Sequence, residues 1–159
     1  MSHPDGTSSA SKPVETVLTE DFVLKYPYRR SVGPVLGAFF TALAAGKILG
    51  VRTSNGDVIV PPVEYDPQSG ASCSELVEVG PFGQVTSWTW QAEPRERHPL
   101  QRPFAWALVR LDGASSDFLH AVEVADPAEM KNGMRVRATF REEPQGGIQD
   151  LRCFVPEGA

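Results

Sequence analysis

Residues 52–70 read RTSNGDVIVPPVEYDPQSG, and this stretch decides how the remainder of the chain is interpreted. Two turn-forming pentapeptides, RTSNG and DPQSG, each end in glycine and flank an apolar run that finishes in Pro61-Pro62. The Asn55-Gly56 pair is typical of tight β-hairpins, and Asp, Pro, Ser and Gly favour the second turn. Together with strands predicted at 48–52, 58–60 and 63–65, the pattern indicates a small β-module with almost no core of its own.

A helix is predicted immediately upstream, over residues 34–45. Pro34 suits its first turn, and Ser31 is the predicted cap before it. Gly46 suits the C-terminal stop, and Lys47 lies just beyond, near the negative end of the helix dipole. Apolar residues recur at 3.6-residue spacing and predict one buried face, formed by Val35, Phe39, Ala42 and Leu43.

Downstream of residue 75 the sequence predicts a β-barrel. After a short strand at 76–79, five main strands alternate with turn signals, and a short helical turn at 127–130 falls between the third and fourth. This number and order of elements is typical of an OB-fold, in which a helix commonly sits between strands three and four. The five predicted strands are 84–91, 104–111, 118–124, 134–141 and 151–155.

Composition restricts the class of protein. The chain has 159 residues, a hydrophobic fraction of 41% and a net charge of −5, as expected for a globular protein without a general affinity for nucleic acid. Its two cysteines, Cys73 and Cys153, form no CxxC pair and suit a reducing compartment, although a disulfide between them stays open. Residues 1–14 are polar, lack the apolar core of a signal peptide and are predicted to be disordered. No apolar run is long enough to span a bilayer, so we expect a cytoplasmic protein.

The order of these pieces resembles a known family. The zinc-ribbon/OB-fold proteins associated with acyl-CoA metabolism, long catalogued as domain of unknown function 35, have a helix, a four-cysteine rubredoxin-like knuckle and an OB-fold. Their knuckle reads C-x-x-C-G, an apolar stretch ending in Pro-Pro, and C-x-x-C-G again. Residues 52–70 keep this frame, and the resemblance extends over about residues 20–156. Further matching pieces are Phe39-Phe40 in the helix, 83–89 and 104–113 in the barrel, 133–137, and Phe154-Val155-Pro156.

The resemblance implies a mainly β fold with an N-terminal helix, a small rubredoxin-like β knuckle without metal, and a five-stranded OB-fold barrel. The implied segments are a disordered tail at 1–14, an N-terminal segment and helix at 15–47, a degenerate zinc-ribbon knuckle at 48–74 and the OB-fold at 75–159.

All four former zinc-ligand positions are substituted, by Arg52, Asn55, Asp66 and Ser69. A structural zinc site needs four good donors, and this set does not supply them, so we expect no metal here. One hypothesis is that Arg52 pairs with Asp66 across the former site while Asn55 and Ser69 hydrogen-bond the turns. The alternative is that both charges are solvated and contribute little.

Candidate contact residues for coenzyme A or a partner protein lie near the helix and in the first barrel strand. Arginines beside tyrosines can hold phosphates, although a solvated turn with tyrosines packed on the core gives the same pattern. Two barrel tryptophans share one face of their strand, where they can stack on single-stranded nucleic acid, pack in the core or contact a partner. The acidic net charge opposes the nucleic-acid reading. The candidate residues are Tyr26, Tyr28, Arg29, Arg30, Lys47, Trp88 and Trp90.

No complete catalytic constellation is visible. His120 and Glu123 are close in sequence and suit acid–base work, but a lone strand histidine is more often structural. The polar stretch 92–103, which contains Arg95, Arg97 and His98, is either a recognition loop or a disordered solvated one. No catalytic residue is therefore assigned.

The resemblance implies a non-catalytic accessory subunit of a thiolase-like acyl-CoA enzyme, of the lipid-transfer-protein thiolase or aldolase kind, or of a hot-dog-fold hydratase. Sterol side-chain or fatty acyl-CoA metabolism is the implied pathway, and a hetero-oligomer is the implied state. No cofactor is predicted, except a coenzyme A thioester shared with the partner. The alternatives are a stand-alone acyl-CoA binder and an OB-type nucleic-acid binder.

Overall fold

A computed structural model describes residues 19–27 and 31–158 of the chain. Residues 19–27 form no helix or strand, and their side chains are exposed. The predicted disordered tail, residues 1–14, lies outside the described residues. In the part of the chain that the structure describes, no helix is long and apolar enough to cross a membrane.

Within the described residues there is one α-helix, α1, which spans Gly33–Ala44 and carries Pro34 in its first turn. Its buried residues are the predicted set, Val35, Phe39, Ala42 and Leu43. The predicted cap is wrong, because Val32 occupies the N-cap position and makes no side-chain cap hydrogen bond. Ser31 is one residue too early, and its Oγ accepts only a 3.4 Å bond from the Gly33 amide. The predicted stop is confirmed: Gly46 has a φ of +73° and its amide donates to the Leu43 carbonyl at 3.0 Å.

A three-stranded antiparallel sheet follows, formed by β1 (Ile48–Arg52), β2 (Val58–Ile59) and β3 (Leu76–Val79), in the order β2-β1-β3. The β1–β2 hairpin closes as predicted around Gly56, whose φ of +92° favours glycine. The strand predicted at 63–65 does not form. Pro61 and Pro62 offer no backbone donors, and only an isolated bridge between Tyr65 and Ser72 remains. Strand β3, expected to lead into the barrel, pairs instead with β1.

The barrel has five strands: β4 (Phe82–Gln91), β5 (Phe104–Leu111), β6 (Asp117–Val122), β7 (Arg135–Phe140) and β8 (Leu151–Pro156). It closes in the order β4-β5-β6-β8-β7, with β7 paired back to β4. A 3-10 turn at Pro127–Glu129, capped by Asp126, separates β6 from β7. The predicted OB-fold is therefore confirmed, including the helical turn between the third and fourth barrel strands.

One hydrophobic core joins the helix, the small sheet and the barrel. Phe39 and Leu43 of α1 and Val58 and Val60 of the hairpin belong to the same buried cluster as the inward-facing barrel residues. The small sheet lacks a core of its own, as predicted, and buries its apolar side chains against the barrel instead. Burial of each such side chain stabilises the fold by about 1.5–3 kcal/mol. This shared core supplies stability that a metal supplies in an isolated knuckle.

Candidate functional site

The former zinc-ligand positions lie in the two facing turns of the knuckle, residues 52–56 and 66–70. Asp66 is the buried one, with 3% of its surface exposed. Its Oδ2 accepts a 2.9 Å hydrogen bond from Ser54 Oγ in the opposite turn. A charge-assisted hydrogen bond from a hydroxyl to a carboxylate therefore connects the two turns that a zinc ion joins in a zinc ribbon.

Asp66 also organises its own turn. Its Oδ1 accepts hydrogen bonds from the backbone amides of Gln68 at 2.8 Å and Ser69 at 3.4 Å. The Gln68 amide, followed by the Ser54 hydroxyl, lowers the pKa of Asp66 to about 2. The carboxylate is thus ionised at neutral pH, and its negative charge is held by donors that a protonated acid would not attract as strongly.

The predicted Arg52–Asp66 pair is wrong. Arg52 Nε donates to Glu75 Oε1 at 2.9 Å, and Arg52 Nη1 donates to the Gly56 carbonyl at 3.2 Å. The reason is strand pairing: the Arg52 amide bonds the Glu75 carbonyl at 2.9 Å, which brings the two side chains together. Both charges of that pair are partly exposed, so it contributes little stability.

The two remaining positions hydrogen-bond their own turns, as predicted. Asn55 Nδ2 donates to Asp57 Oδ2 at 3.0 Å, and Ser69 Oγ accepts from the Ala71 amide at 3.3 Å. The side chains at the four positions therefore do not direct a set of metal-donor atoms towards one point. Among residues 19–27 and 31–158, no group of three or more His, Cys, Asp or Glu side chains is placed to hold a metal ion. The four positions do not fit zinc.

The barrel holds the hairpin of the knuckle through the loop between β5 and β6. Ser116 Oγ accepts from the Val60 amide at 2.8 Å and donates to the Val60 carbonyl at 3.1 Å. Ser115 Oγ accepts from the Val58 amide at 3.0 Å, and its own amide donates to the Val58 carbonyl at 2.8 Å. These contacts were not predicted, because the partners are more than fifty residues apart and two adjacent serines after a turn carry no local signal.

The candidate coenzyme A or partner contacts do not form one cluster in the described chain. Tyr26 is exposed, whereas Tyr28, Arg29 and Arg30 lie outside the described residues. Lys47 Nζ forms an exposed ion pair with Glu78 at 2.8 Å. The contact roles of these residues therefore stay predictions.

Trp88 and Trp90 both pack, half-buried, against the main core. They share a face, as predicted from strand alternation. Their rings lie against the barrel core, so the core-packing alternative describes them better than a stacking platform does. Trp106 belongs to a second cluster on the outer face of the barrel.

The polar stretch 92–103 is ordered against that outer face. Leu100 is buried with Phe104, and His98 meets the rings of Phe104 and Trp106 edge-on, with centroids 5.7 and 6.1 Å away. The second cluster consists of Leu100, Phe104, Ala121 and Cys153, with Trp106 and Val155 packed against it. The packing of Leu100 and His98 favours the recognition-loop interpretation over a fully solvated loop. Cys73 and Cys153 are both buried free thiols.

Glu123 anchors the end of the same loop. Arg102 and Arg152 both form ion pairs with its carboxylate, which is 11% exposed. Burial opposes its ionisation, but the hydrogen bond from Arg102 and the charges of Arg152 and Arg102 outweigh burial and lower the pKa of Glu123. Glu123 is therefore a structural anion and is not paired with His120.

The His120 ring packs in the barrel beside the rings of Phe118 and Phe154. It is 6% exposed, and its Nδ1 atom has no hydrogen-bond partner among the described residues. Burial lowers the pKa of His120 to about 4, so the imidazole is neutral at physiological pH. An unpaired buried nitrogen is uncommon and calls for an explanation.

A cavity of about 600 Å³ opens where β6 and β8 separate. These parallel strands pair only at Val122 and Phe154, and the cavity lies before that point in both strands. We call it the β6/β8 groove. Its walls are formed by Trp106, Leu119, His120, Ile148 and Leu151, and its rim carries Glu96, Arg97, Arg141 and Arg152. Apart from Arg97, His98, Trp106 and His120, the groove residues were not selected from the sequence, since side chains of separate strands meet only after barrel closure.

Comparison with known proteins shows which families this architecture resembles. Residues 76–141 match the family model for the ChsH2 C-terminal OB-fold domain. A solved structure described as "Ltp2-ChsH2(DUF35) aldolase" is similar over 80% of this chain and 98% of its own, with 21% identity and a TM-score of 0.59. A DUF35-family protein of unknown function from Sulfolobus solfataricus is similar over 71% of this chain and 81% of its own, with 25% identity and a TM-score of 0.55. No curated protein matches the chain significantly. The predicted resemblance is confirmed for the barrel and the overall architecture: residues 76–141 match a ChsH2-type OB-fold, and the chain is similar to a DUF35-family structure, while its four positions that correspond to zinc ligands carry no cysteine.

Proposed function

We propose that this chain is a non-catalytic accessory subunit of a thiolase-like acyl-CoA enzyme, of the lipid-transfer-protein thiolase or aldolase kind. The observation that carries the proposal is the similarity to the Ltp2-ChsH2(DUF35) aldolase, which extends over 80% of this chain and agrees with the ChsH2 family match. A hot-dog-fold hydratase is the other partner considered for the same role. The proposed pathway is sterol side-chain or fatty acyl-CoA metabolism.

The arrangement of the titratable groups supports a non-catalytic role. Glu123 is held by two arginines, and His120 is buried without a carboxylate partner in the described chain. Cys153 is 0% exposed, and burial raises the pKa of its thiol, which disfavours the reactive thiolate. The Ser54 hydroxyl and the Cys153 thiol each contact a carboxylate, of Asp66 and Glu123 respectively, but the pKa of both acids is lowered, which makes them weak bases for activating a nucleophile.

The described N-terminal segment supports a role in binding a partner. Residues 19–27 contain four large apolar side chains with high exposure: Phe22 at 84%, Val23 at 68%, Leu24 at 60% and Tyr26 at 76%. Apolar side chains this close together on an exposed segment are typical of protein contact sites. Burying them against a partner would remove apolar area from water and favour association.

Co-purification tests the proposal directly. Tagged full-length chain, expressed in its native host, should capture a thiolase-like or hydratase acyl-CoA enzyme, and native mass spectrometry should give a fixed stoichiometry. The variant Phe22→Ser/Leu24→Ser/Tyr26→Ser should weaken capture at least about tenfold. Lys25→Ser, in the same exposed segment, is the matched control and should leave capture unchanged. Recovery of the tagged chain without any acyl-CoA enzyme would refute the accessory role.

The alternative of a stand-alone acyl-CoA binder makes a different prediction. Calorimetry of the isolated chain with acetyl-CoA should give no saturable heat if the accessory role is correct. Saturable one-to-one binding to the isolated chain would favour the alternative.

A further inference from the structure

We propose that the β6/β8 groove binds an amphipathic anion, a molecule with an apolar body and a carboxylate or phosphate head. The inference does not depend on the accessory role, because the groove is complete within one chain. All of its residues belong to the compact unit formed by residues 31–159.

The size and lining of the groove suit the apolar body of such a ligand. Its volume of about 600 Å³ is in the usual range for sites that enclose small molecules. Leu119 and Ile148 are 58% and 37% exposed, and Trp106 and Leu151 complete the apolar wall. Exposed aliphatic side chains around one concavity gain free energy when a ligand covers them.

The charges on the rim determine the sign of the head group. Arg97, Arg141 and Arg152 oppose one acid, Glu96, so three positive charges and one negative charge leave the rim at +2. This local excess occurs in a chain whose net charge is −5. Arginine is the side chain best suited to bind a carboxylate or phosphate, because its planar fork donates two parallel hydrogen bonds.

Two of these arginines are available for a ligand. Arg152 shares the carboxylate of Glu123 with Arg102. Arg97 and Arg141, in contrast, form no ion pair with any carboxylate of the described chain, although Arg141 Nε donates to the Gln149 carbonyl at 2.9 Å. Glu142 and Glu143 line an adjoining depression that shares Arg141 and Arg152 with the groove. The anionic head is therefore expected between Arg97 and Arg141.

His120 adds a polar group to an otherwise apolar wall. Its ring lines the groove, and its Nδ1 has no partner in the described chain. A neutral imidazole can hydrogen-bond a polar substituent on the ligand body without burying a charge. A few polar groups in an apolar pocket are the usual arrangement by which a ligand is oriented.

The same surface is less suited to single-stranded nucleic acid. That function needs ring faces on which bases stack and a basic track for several phosphates. Here Trp106 lies edge-on to Phe104 at 5.1 Å and to His98, and the remaining wall is mainly aliphatic. A rim charge of +2 on an acidic chain also provides too few phosphate contacts for strong counterion release.

Binding of decanoate to the isolated full-length chain tests the proposal. Calorimetry should show one-to-one binding of decanoate or decyl phosphate, and comparing the two identifies the preferred head group. 1-Decanol, which has no anionic head, and acetate, which has no long apolar chain, should each bind at least about tenfold more weakly than decanoate.

Variants separate the rim from general surface charge. Arg97→Gln/Arg141→Gln should weaken decanoate binding at least about tenfold, whereas Arg95→Gln, a neighbouring exposed arginine outside the groove, should not. Circular dichroism would verify that each variant is folded. Equal affinities in the double variant and the control would overturn the proposal, as would tighter and salt-sensitive binding of a twelve-residue oligothymidylate at the same site.

Discussion

Replacing Ser116 by Ala tests whether the barrel, rather than a metal, holds the knuckle. The hydroxyl of Ser116 satisfies both backbone groups of Val60, with distances of 2.8 Å to the amide nitrogen and 3.1 Å to the carbonyl oxygen. Val60 is 1% exposed, so water has little access to its surroundings. Leaving a buried backbone group unpaired costs about 1–3 kcal/mol, and we expect Ser116→Ala to lower the free energy of unfolding by about 2 kcal/mol.

This cost corresponds to a fall in Tm of about 4–8 °C for a chain of this size. Thermal unfolding followed by circular dichroism would measure it, and hydrogen exchange would locate it at the Val58 and Val60 amides. Ser74→Ala is the control, because Ser74 is exposed and its hydroxyl makes none of the hydrogen bonds of the described chain. The control should change stability by less than about 0.5 kcal/mol. Equal stability of the two variants, or faster exchange spread evenly through the barrel, would refute the anchoring role of Ser116.

Three further predictions concern other parts of the molecule. Hydrogen bonds, first of all from a backbone amide of its own turn, lower the pKa of Asp66 to about 2, below its unfolded value. The ionised Asp66 carboxylate therefore adds to the free energy of unfolding at neutral pH, and this contribution is lost as the pH falls from about 5 to about 2. Urea unfolding at several pH values should show the loss, and Asp66→Asn should make the free energy of unfolding less dependent on pH. Leu100→Ala should destabilise the chain by about 2–4 kcal/mol by opening the outer cluster, whereas Leu119→Ala at a 58% exposed position should cost less than about 0.5 kcal/mol in the same measurement. Gly50→Ala would place a Cβ 2.6 Å from Val58 Cγ1 and should lower the free energy of unfolding by about 1–3 kcal/mol. Gly37→Ala meets open space on the helix and should raise the free energy of unfolding by about 0.5–1 kcal/mol. A higher urea midpoint for Gly50→Ala than for Gly37→Ala would contradict the packing described for β1.

The helix and the barrel strands were predictable because their signals are local. The spacing of Val35, Phe39 and Leu43 defines one helical face whatever that face packs against. In the barrel, alternation and turn residues located all five strands within a few residues of their ends. The OB-type barrel was predicted from the number and order of elements, which few β architectures share.

Pairing across long sequence distances was less predictable. Strand β3 has the composition of a barrel strand, but its antiparallel register with β1, from Ile48 opposite Val79 to Val51 opposite Leu76, depends on tertiary context. The same limit explains the wrong partner predicted for Asp66. Charge complementarity favoured Arg52, whereas the backbone pairing of Arg52 with Glu75 left the uncharged Ser54 to reach the carboxylate.

The two candidate surfaces differ in how far the sequence indicated them. The former zinc-ligand positions could be identified in the sequence, because the turn residues and glycines around them keep the family's spacing although the cysteines are absent. The β6/β8 groove combines the loop before β5, three barrel strands and the connection between β7 and β8, and no linear motif indicates that Arg97 and Arg141 line the same cavity. The groove forms only when these segments come together in the closed barrel.

Residues 52–70 keep a zinc-ribbon frame that we expect to hold no metal, because the Ser54–Asp66 hydrogen bond and the barrel stabilise its two turns. The most direct test is the zinc content of the purified full-length chain, measured by inductively coupled plasma mass spectrometry after growth in zinc-supplemented medium. We predict a zinc content far below one equivalent per chain, because the four positions do not supply a tetrahedral donor set. One equivalent of zinc retained through dialysis would contradict the claim and the bonding described for the knuckle.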